Sequence, residues 1–486
     1  MKRWLLFSLF ILIVLAPGKF GPYLGLGTGL SVKNLFLYIF VLVIGIRAVL
    51  SPNGIRFSDL DVHAAILVFT LFTAVSFTVK FAFDPTYPAL AAFIQFKSHV
   101  IDYYLLFLVF RYGVDTYEDA LWLFKAIVRT LLLLGVLVTI DYLNVPDLHL
   151  FPTHHGRAEG FVGEANQYAA FLIFSMPLLF VAIGTVIQKR RLFWWGTFVL
   201  TVLMFAATGS RGGYFGAILG FPLAVWFLRR HIDILAAAKF TLLGVAGMSL
   251  LMVVAVVLLG LDFIGDRIDL IGDGRVLQEY EKRQITGLWY NRVSIWLDNA
   301  SAGRWSIWTD HFTIMLRQPW SILIGLGWMT TLLSGLSKTP HSEYIFRLYE
   351  TGALGLIAFM APLMVLVFRT RTIIGRLSGY LREIQIAYVL GLCGLLVAIL
   401  AVQVPAAWPL IWAITGVVLA MQGHVFDEVS ENDVSPVDGG DSIEEGMDGN
   451  FSGRPLAIAE RIPASGLPRP RNGLRVSPPF SSRKRS

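Results

Sequence analysis

The apolar residues of this chain come in uninterrupted blocks of about 15 to 25, the length needed to cross the hydrocarbon layer of a bilayer as a helix. Backbone at that depth has no water to bond to, so each block must be a helix or part of a closed barrel, and continuous apolarity without strand-like alternation selects helices. Hydrophobic residues make up 56% of the chain and charged residues 15%, which excludes an ordinary soluble globule. The expected fold class is all-α, a polytopic integral membrane protein. Twelve spans are expected, near residues 4–17, 34–50, 62–83, 94–111, 119–143, 166–187, 192–208, 214–228, 239–261, 345–368, 385–402 and 406–423. The first resembles a signal peptide in having Lys2-Arg3 before a short apolar core. No small-x-small cleavage site follows at Ala16-Pro17-Gly18, so it is kept as a span.

Threaded alternately, the twelve spans put Lys2-Arg3, Arg47 with Arg56, Arg111, Lys189-Arg190-Arg191, Arg229-Arg230, Arg369, Arg371, Arg376 and Arg382 on one side, which is then the cytoplasm. The net charge of +7 is thereby topological and speaks for anionic lipid rather than nucleic acid. The lone Cys393 lies inside a span, so no intramolecular disulfide can form. Residues 1–426 are read as the transmembrane domain. Residues 427–486, acidic through Asp448 and then rich in Pro and Arg, are read as a disordered cytoplasmic tail, because they cannot bury enough apolar surface to order themselves. Both termini fall on the cytoplasmic side.

The opposite face collects the conspicuous polar residues. Arg157, Glu159, Glu164 and Asn166 lie in the connection near 144–165, and Thr208-Gly209-Ser210-Arg211-Gly212-Gly213 makes a tight turn between two spans. A long external loop, 262–344 between spans 9 and 10, carries Arg304 and His341. A loop of about 80 residues between spans is unusual and commonly functional. Trp289, Tyr290, Trp296, Trp305, Trp308, Trp320 and Trp328 suit amphipathic helices at the membrane interface. Arg211 beside apolar segments must snorkel or meet a partner; the plainer reading is a turn cap or a lipid-phosphate contact. His341 follows Pro340 and precedes Ser342, Glu343, Arg347 and Glu350, more polar groups than a lipid-facing helix end needs. Lys80, Asp102, Lys125, Arg129 and Asp141 are the charges within spans, mostly near ends or able to pair.

These residues, taken in order, resemble the bacterial O-antigen ligase and polysaccharide polymerase superfamily of multi-span glycan transferases. Gly160-Phe161-Val162-Gly163-Glu164-Ala165-Asn166-Gln167-Tyr168, followed by Pro177, looks like the family's Asn-containing helix entry. Thr208-Gly209-Ser210-Arg211-Gly212 is similar to its Ser-Arg-Gly turn, and Gly303-Arg304 with Trp308 to its Gly-Arg segment. Pro319, Gly325 and Gly327 are similar to the segment that follows. His341-Ser342 with Tyr344, Glu350, Gly352 and Gly355 resembles its His-Asn and Glu-x-Gly elements. The likeness covers about residues 157–360. It departs from the pattern at Ser342, where Asn is common, and at Glu164-Ala165, where Asp-Pro is common; Arg317 matches no family element.

The resemblance implies transfer of a glycan from undecaprenyl diphosphate to an acceptor hydroxyl outside the inner membrane, with the bilayer and other polysaccharide assembly proteins as partners and no cofactor. Arg211 and Arg304 are expected to hold the diphosphate, since guanidinium groups grip phosphate oxygens bidentately. His341 is expected to orient or deprotonate the acceptor. Arg157, Glu164, Asn166, Ser210, Ser342, Tyr344 and Glu350 are expected to bind substrate. The first external loop, residues 18–33, has no Asp or Glu with which to hold a metal, so metal independence is expected. Its Gly25-x-Gly27-x-Gly29 is expected to be a flexible turn, because no βα unit accompanies it. The acceptor, whether lipid A core, a lipid-linked repeat or a protein hydroxyl, stays open. A flippase for the same glycans is the reading from another class, though no internal repeat supports it.

Overall fold

The computed structural model describes residues 2–17, 22–27, 30–50, 59–144, 150–151, 153–154, 157–233, 304–333 and 339–433. The expected span 239–261 and the tail beyond residue 433 lie outside them. Each of the other eleven expected spans falls on a helix: α1 Arg3–Leu15, α2 Val32–Leu50, α3 Leu60–Phe83, α4 Ala89–Tyr112, α5 Tyr117–Tyr142, α6 Ala165–Thr185, α7 Arg191–Ala207, α8 Arg211–Phe227, then α12 Glu343–Ile374, α13 Gly379–Ala398 and α14 Trp408–Asp433. Seven of them are long and apolar enough to cross a membrane; α1 is shorter, and α7 and α8 meet at a bend of 118° that can make one broken span of the pair. Between α8 and α12, the described residues add α9 Arg304–Leu316, α10 Ser321–Ile324 and α11 Thr330–Leu333. Instead of an irregular turn, Gly25–Gly27 pairs antiparallel with Leu30–Ser31, and Thr153–His154 pairs with Arg157–Ala158.

The centre of the bundle is α6 against α13, where a Cβ on Gly391 would stand 2.1 Å from the Phe174 carbonyl oxygen. Only glycine lets the two backbones come so close. Contacts between residues distant in sequence sort the connections into two ends. At one, Arg3 bonds Asp119 at 3.0 Å, Arg47 pairs with Asp115, Arg111 and Arg369 share Asp59, and Arg382 donates to the His231 carbonyl at 2.7 Å. At the other, Tyr87 reaches the Trp328 carbonyl, Arg157 the Thr208 carbonyl, and Ala406 Gln167. The sorting follows the alternation expected from the sequence. Three of the charges within spans also find partners: Lys80 bonds Asp84 at 2.7 Å, Asp102 bonds Lys97 at 3.1 Å, and Asp141 accepts from the amides of Leu150 and Phe151 at 2.7 and 2.8 Å.

Helix α12 is broken at Gly352, whose φ of 70° and ψ of −175° take the chain out of the helix. The break strands carbonyls that would otherwise accept bonds one turn on. The segment Gly325-Leu326-Gly327 fills the gap: Leu326 N–H donates to the Tyr349 carbonyl at 2.9 Å and Gly327 N–H to the Glu350 carbonyl at 3.1 Å. Ser76 Oγ adds a 2.6 Å bond to the same Glu350 oxygen, so this deep backbone stays satisfied. Gly325 has φ 80°, and a Cβ there would lie 2.2 Å from that carbonyl oxygen; one on Gly352 would meet the Leu323 backbone at 2.3 Å. Gly352→Ala is therefore expected to cost about 1–3 kcal/mol from backbone conformation alone, and more from the clash. Gly184→Ala, which meets open space in α6, should be neutral or gain up to about 1 kcal/mol. Thermal unfolding of the two variants in detergent checks the contrast, which equal midpoints would refute.

Candidate active site

Three helix starts meet at the turn 399–406 between α13 and α14. Glu343 N–H, at the start of α12, donates to the carbonyls of Ile399 and Val402 at 3.0 and 3.2 Å, and its Oε2 accepts from Val404 N–H at 3.3 Å. Gln167, in the first turn of α6, accepts from Ala406 N–H at 2.8 Å through Oε1. Gly212, second in α8, packs so closely that an added Cβ would stand 2.6 Å from Val402 and 3.1 Å from Ala401. The turn thus carries the Asn166, Arg211 and His341 regions of the chain at one place.

Each of these helices is capped by a residue that the sequence had suggested for substrate binding. Glu164 caps α6, accepting from the amides of Asn166 and Gln167 at 3.2 and 2.9 Å; Ser210 caps α8 through Gly213 N–H at 3.2 Å; and Ser342 caps α12 through Ile345 N–H at 3.4 Å. Capping satisfies amide groups that the helix leaves without partners. The caps are also tied together. Asn166 Oδ1 accepts from Arg157 Nη2 at 2.8 Å and from Ser210 Oγ at 3.0 Å, while Asn166 Nδ2 donates to Glu164 Oε1 at 2.7 Å. Arg157 Nε donates to the Thr208 carbonyl at 2.7 Å. This network links the connection before α6 to the turn before α8 and fixes where Arg211 emerges, exposed, at the α8 start.

Arg304 opens α9 and is half-buried beside this network. Its guanidinium is held below the ordinary arginine range by burial first, then by the charges of Arg211 and Arg157, with Glu164 opposing. Arg157, Arg211 and Arg304 are therefore within electrostatic reach of one another, and the nearby Glu164 already caps a helix. One turn along α9, Trp308 Nε1 donates to the Pro340 carbonyl at 2.7 Å, which brings the residue before His341 to the Arg304 face of the helix. His341 itself is exposed and has φ 51°, a left-handed conformation uncommon outside glycine and typical of strained functional positions. Farther along α9, His311 Nδ1 bonds the Ile307 carbonyl at 2.7 Å, and its ring meets Tyr349 edge-on at 4.7 Å. Burial holds the pKa of His311 below its ordinary value, so this anchor of α9 on α12 is neutral.

Two residues from the expected binding set sit elsewhere. Glu350 is 1% exposed, and its carboxylate accepts from the Thr331 hydroxyl, bracing the segment after α10. The Tyr344 hydroxyl donates to the Leu396 carbonyl at 2.6 Å, against α13. Arg317 is exposed at the end of α9. Gln167, Glu343 and Arg347, which the sequence singled out without a substrate-binding role, do more here than either. Arg347 is 2% exposed, donates twice to Glu343 Oε1 at 2.9 and 2.5 Å, and lies over the rings of Trp328, Phe346 and Phe359 at 4.9, 5.2 and 5.2 Å. A charged pair four residues apart at a helix start was the available signal.

A polytopic membrane protein that gathers three arginines, three helix starts and an exposed histidine at one end is equipped to hold an anionic group and move a proton beside it. Residues 196–360 match the family described as O-antigen ligase, a likeness that supports the O-antigen ligase and polysaccharide polymerase superfamily. The matched segment includes Arg211, Arg304 and His341 and excludes the Arg157–Asn166 network. No curated protein sequence matches the chain significantly. Because breaking a buried pair strands a charge, Glu343→Ala is expected to cost about 3–5 kcal/mol, whereas joint replacement by Glu343→Leu and Arg347→Met should recover much of that loss. Denaturation of both variants in detergent tests this; a double variant no more stable than the single one would contradict it.

Proposed function

We propose that the protein transfers a glycan from undecaprenyl diphosphate to an acceptor hydroxyl, at the outer face of the bacterial inner membrane, with both termini in the cytoplasm. The placement of Arg304 within electrostatic reach of Arg211 and Arg157 carries this reading. Three like charges brought together favour a polyanionic ligand, and helix starts add partial positive charge from their free amides. The basic residues gathered at the opposite end of the bundle support the outer face for the site.

In the reaction, the acceptor oxygen forms a bond to the anomeric carbon as the bond from that carbon to the phosphate oxygen breaks. Undecaprenyl diphosphate leaves with the electron pair. Arg211 and Arg304 stabilise the charge that grows on the diphosphate, which is the interaction that must strengthen in the transition state. Arg157 is spent on Asn166 and Thr208 and acts by shaping the pocket and adding charge. His341 accepts the proton of the acceptor hydroxyl, a role suited to a neutral imidazole near pH 7. The arginines take the part that a divalent metal plays in other lipid-linked sugar transferases, so activity is expected to survive chelation by EDTA.

Purified protein given a lipid-linked oligosaccharide and an acceptor tests the proposal by release of undecaprenyl diphosphate with a longer or transferred glycan. Movement of the glycan across the bilayer without bond cleavage would identify a flippase instead. Lipid A core offered as acceptor separates a ligase from a polymerase. His341→Ala should lower transfer by about 10²–10⁴-fold without loss of folded protein; near-normal transfer would remove His341 from the chemistry. Arg211→Lys and Arg304→Lys keep the charge but lose the bidentate grip, and each should impair transfer. Full activity in both would make the arginines lipid or structural contacts.

A further inference from the structure

Deeper in the bundle lies a second polar feature that glycan transfer does not use. A cavity of about 30 Å³ is lined by His99, Tyr103, Tyr104, Arg347 and Trp408, among apolar side chains. Arg347 is 2% exposed and Trp408 1%. Arg347 Nη1 and Trp408 Nε1 are both buried and have no hydrogen-bond partner among the described residues. Around them, the Tyr103 hydroxyl bonds the Pro405 carbonyl at 2.6 Å, the Tyr104 hydroxyl bonds His63 Nδ1 at 3.2 Å, and His99 Nδ1 bonds the Gln95 carbonyl at 3.0 Å. Two orphaned atoms on one cavity, both of them donors, call for something that accepts from both.

The charges around the cavity favour an anion over a neutral acceptor. Arg347 and Lys33 both act on His99, against the single carboxylate of Glu343. Lys33 is in turn within electrostatic reach of Lys97 and the buried Asp102, where Lys97 lies 3.1 Å from the carboxylate and Tyr38 donates to it at 2.9 Å. Lys97 and His99 sit in a π-helical turn, Lys97–Ile101, a local widening of α4 that is frequent at functional sites. Charges inside a membrane protein are expensive and need compensation from one another or from a ligand. A cavity of this size exceeds the space one water needs and admits one halide ion.

We propose that this cavity binds one small monovalent anion, chloride in the cell, held by the Nη1 hydrogens of Arg347 and the Nε1 hydrogen of Trp408. The ion completes the donors that the protein leaves without acceptors, and it steadies Arg347, which holds Glu343 and through it the turn 399–406. The inference does not depend on which glycan the protein transfers.

The test uses the full-length protein in nanodiscs. Its thermal midpoint is followed while sodium chloride replaces sodium gluconate at constant ionic strength, and again with bromide. A saturable rise is expected for wild type with either halide. The rise should be lost or shifted to at least about tenfold higher halide in Arg347→Gln and in Trp408→Phe; the second removes a donor without removing a charge, so it still reports if the first fails to fold. Bromide should also give an anomalous scattering peak between Arg347 and Trp408 in crystals. No halide dependence, or an equal rise in wild type and Trp408→Phe, would overturn the proposal. A water that accepts from both donors, with no bromide signal, would overturn it as well.

Discussion

The described part of the protein depends on one requirement: backbone amides and carbonyls placed among apolar side chains must find partners inside the protein. The turn 399–406 is where this requirement is most demanding, since the carbonyls of Ile399 and Val402 and the amides of Val404 and Ala406 find their partners outside α13 and α14. It solves the problem by giving carbonyls to Glu343 and an amide each to the side chains of Glu343 and Gln167. The same bonds fix the starts of α6 and α12, and close packing at Gly212 fixes that of α8. The site sits where it does because three helix starts share one irregular segment as their anchor.

Electrostatics give the site a character different from that of the rest of the structure. Elsewhere charges pair: Arg111 and Arg369 with Asp59, Lys97 with Asp102, Arg347 with Glu343. Around Arg304 two of the charged neighbours among the described residues, Arg211 and Arg157, share its sign, and the carboxylate of Glu164 is committed to α6 and Asn166. Such a concentration of positive charge is suited to an anionic ligand. The Asn166 network is the scaffold of that concentration, holding Arg157 and Ser210 by one amide oxygen.

The helices were legible from sequence because apolar length is a local property, and eleven expected spans coincide with helices for that reason. The ends of the bundle were legible too, since the basic residues gather at one of them. What sequence order hides is contact between distant residues. Nothing local marks Val404 as the partner of Glu343, or Ala406 as that of Gln167, and these pairs are 61 and 239 residues apart. The polar residues Ser210, Ser342 and Glu164 were conspicuous, but their capping of helices emerges only once the helix starts are placed. Glu350 shows the opposite case: a carboxylate prominent in sequence that turns inward to Thr331.

The break at Gly352 divides α12 into two mechanical parts. The upper part, from Glu343 to Thr351, is stitched by its carbonyls to Leu326 and Gly327 and by Tyr349 to the ring of His311. It is tied at the same time to the bundle, through Ser76 and through the turn 399–406 that also holds the start of α8. The break at Gly352 therefore does not separate Arg304 and His341 from Arg211: the backbone that carries all three is referred to one common anchor.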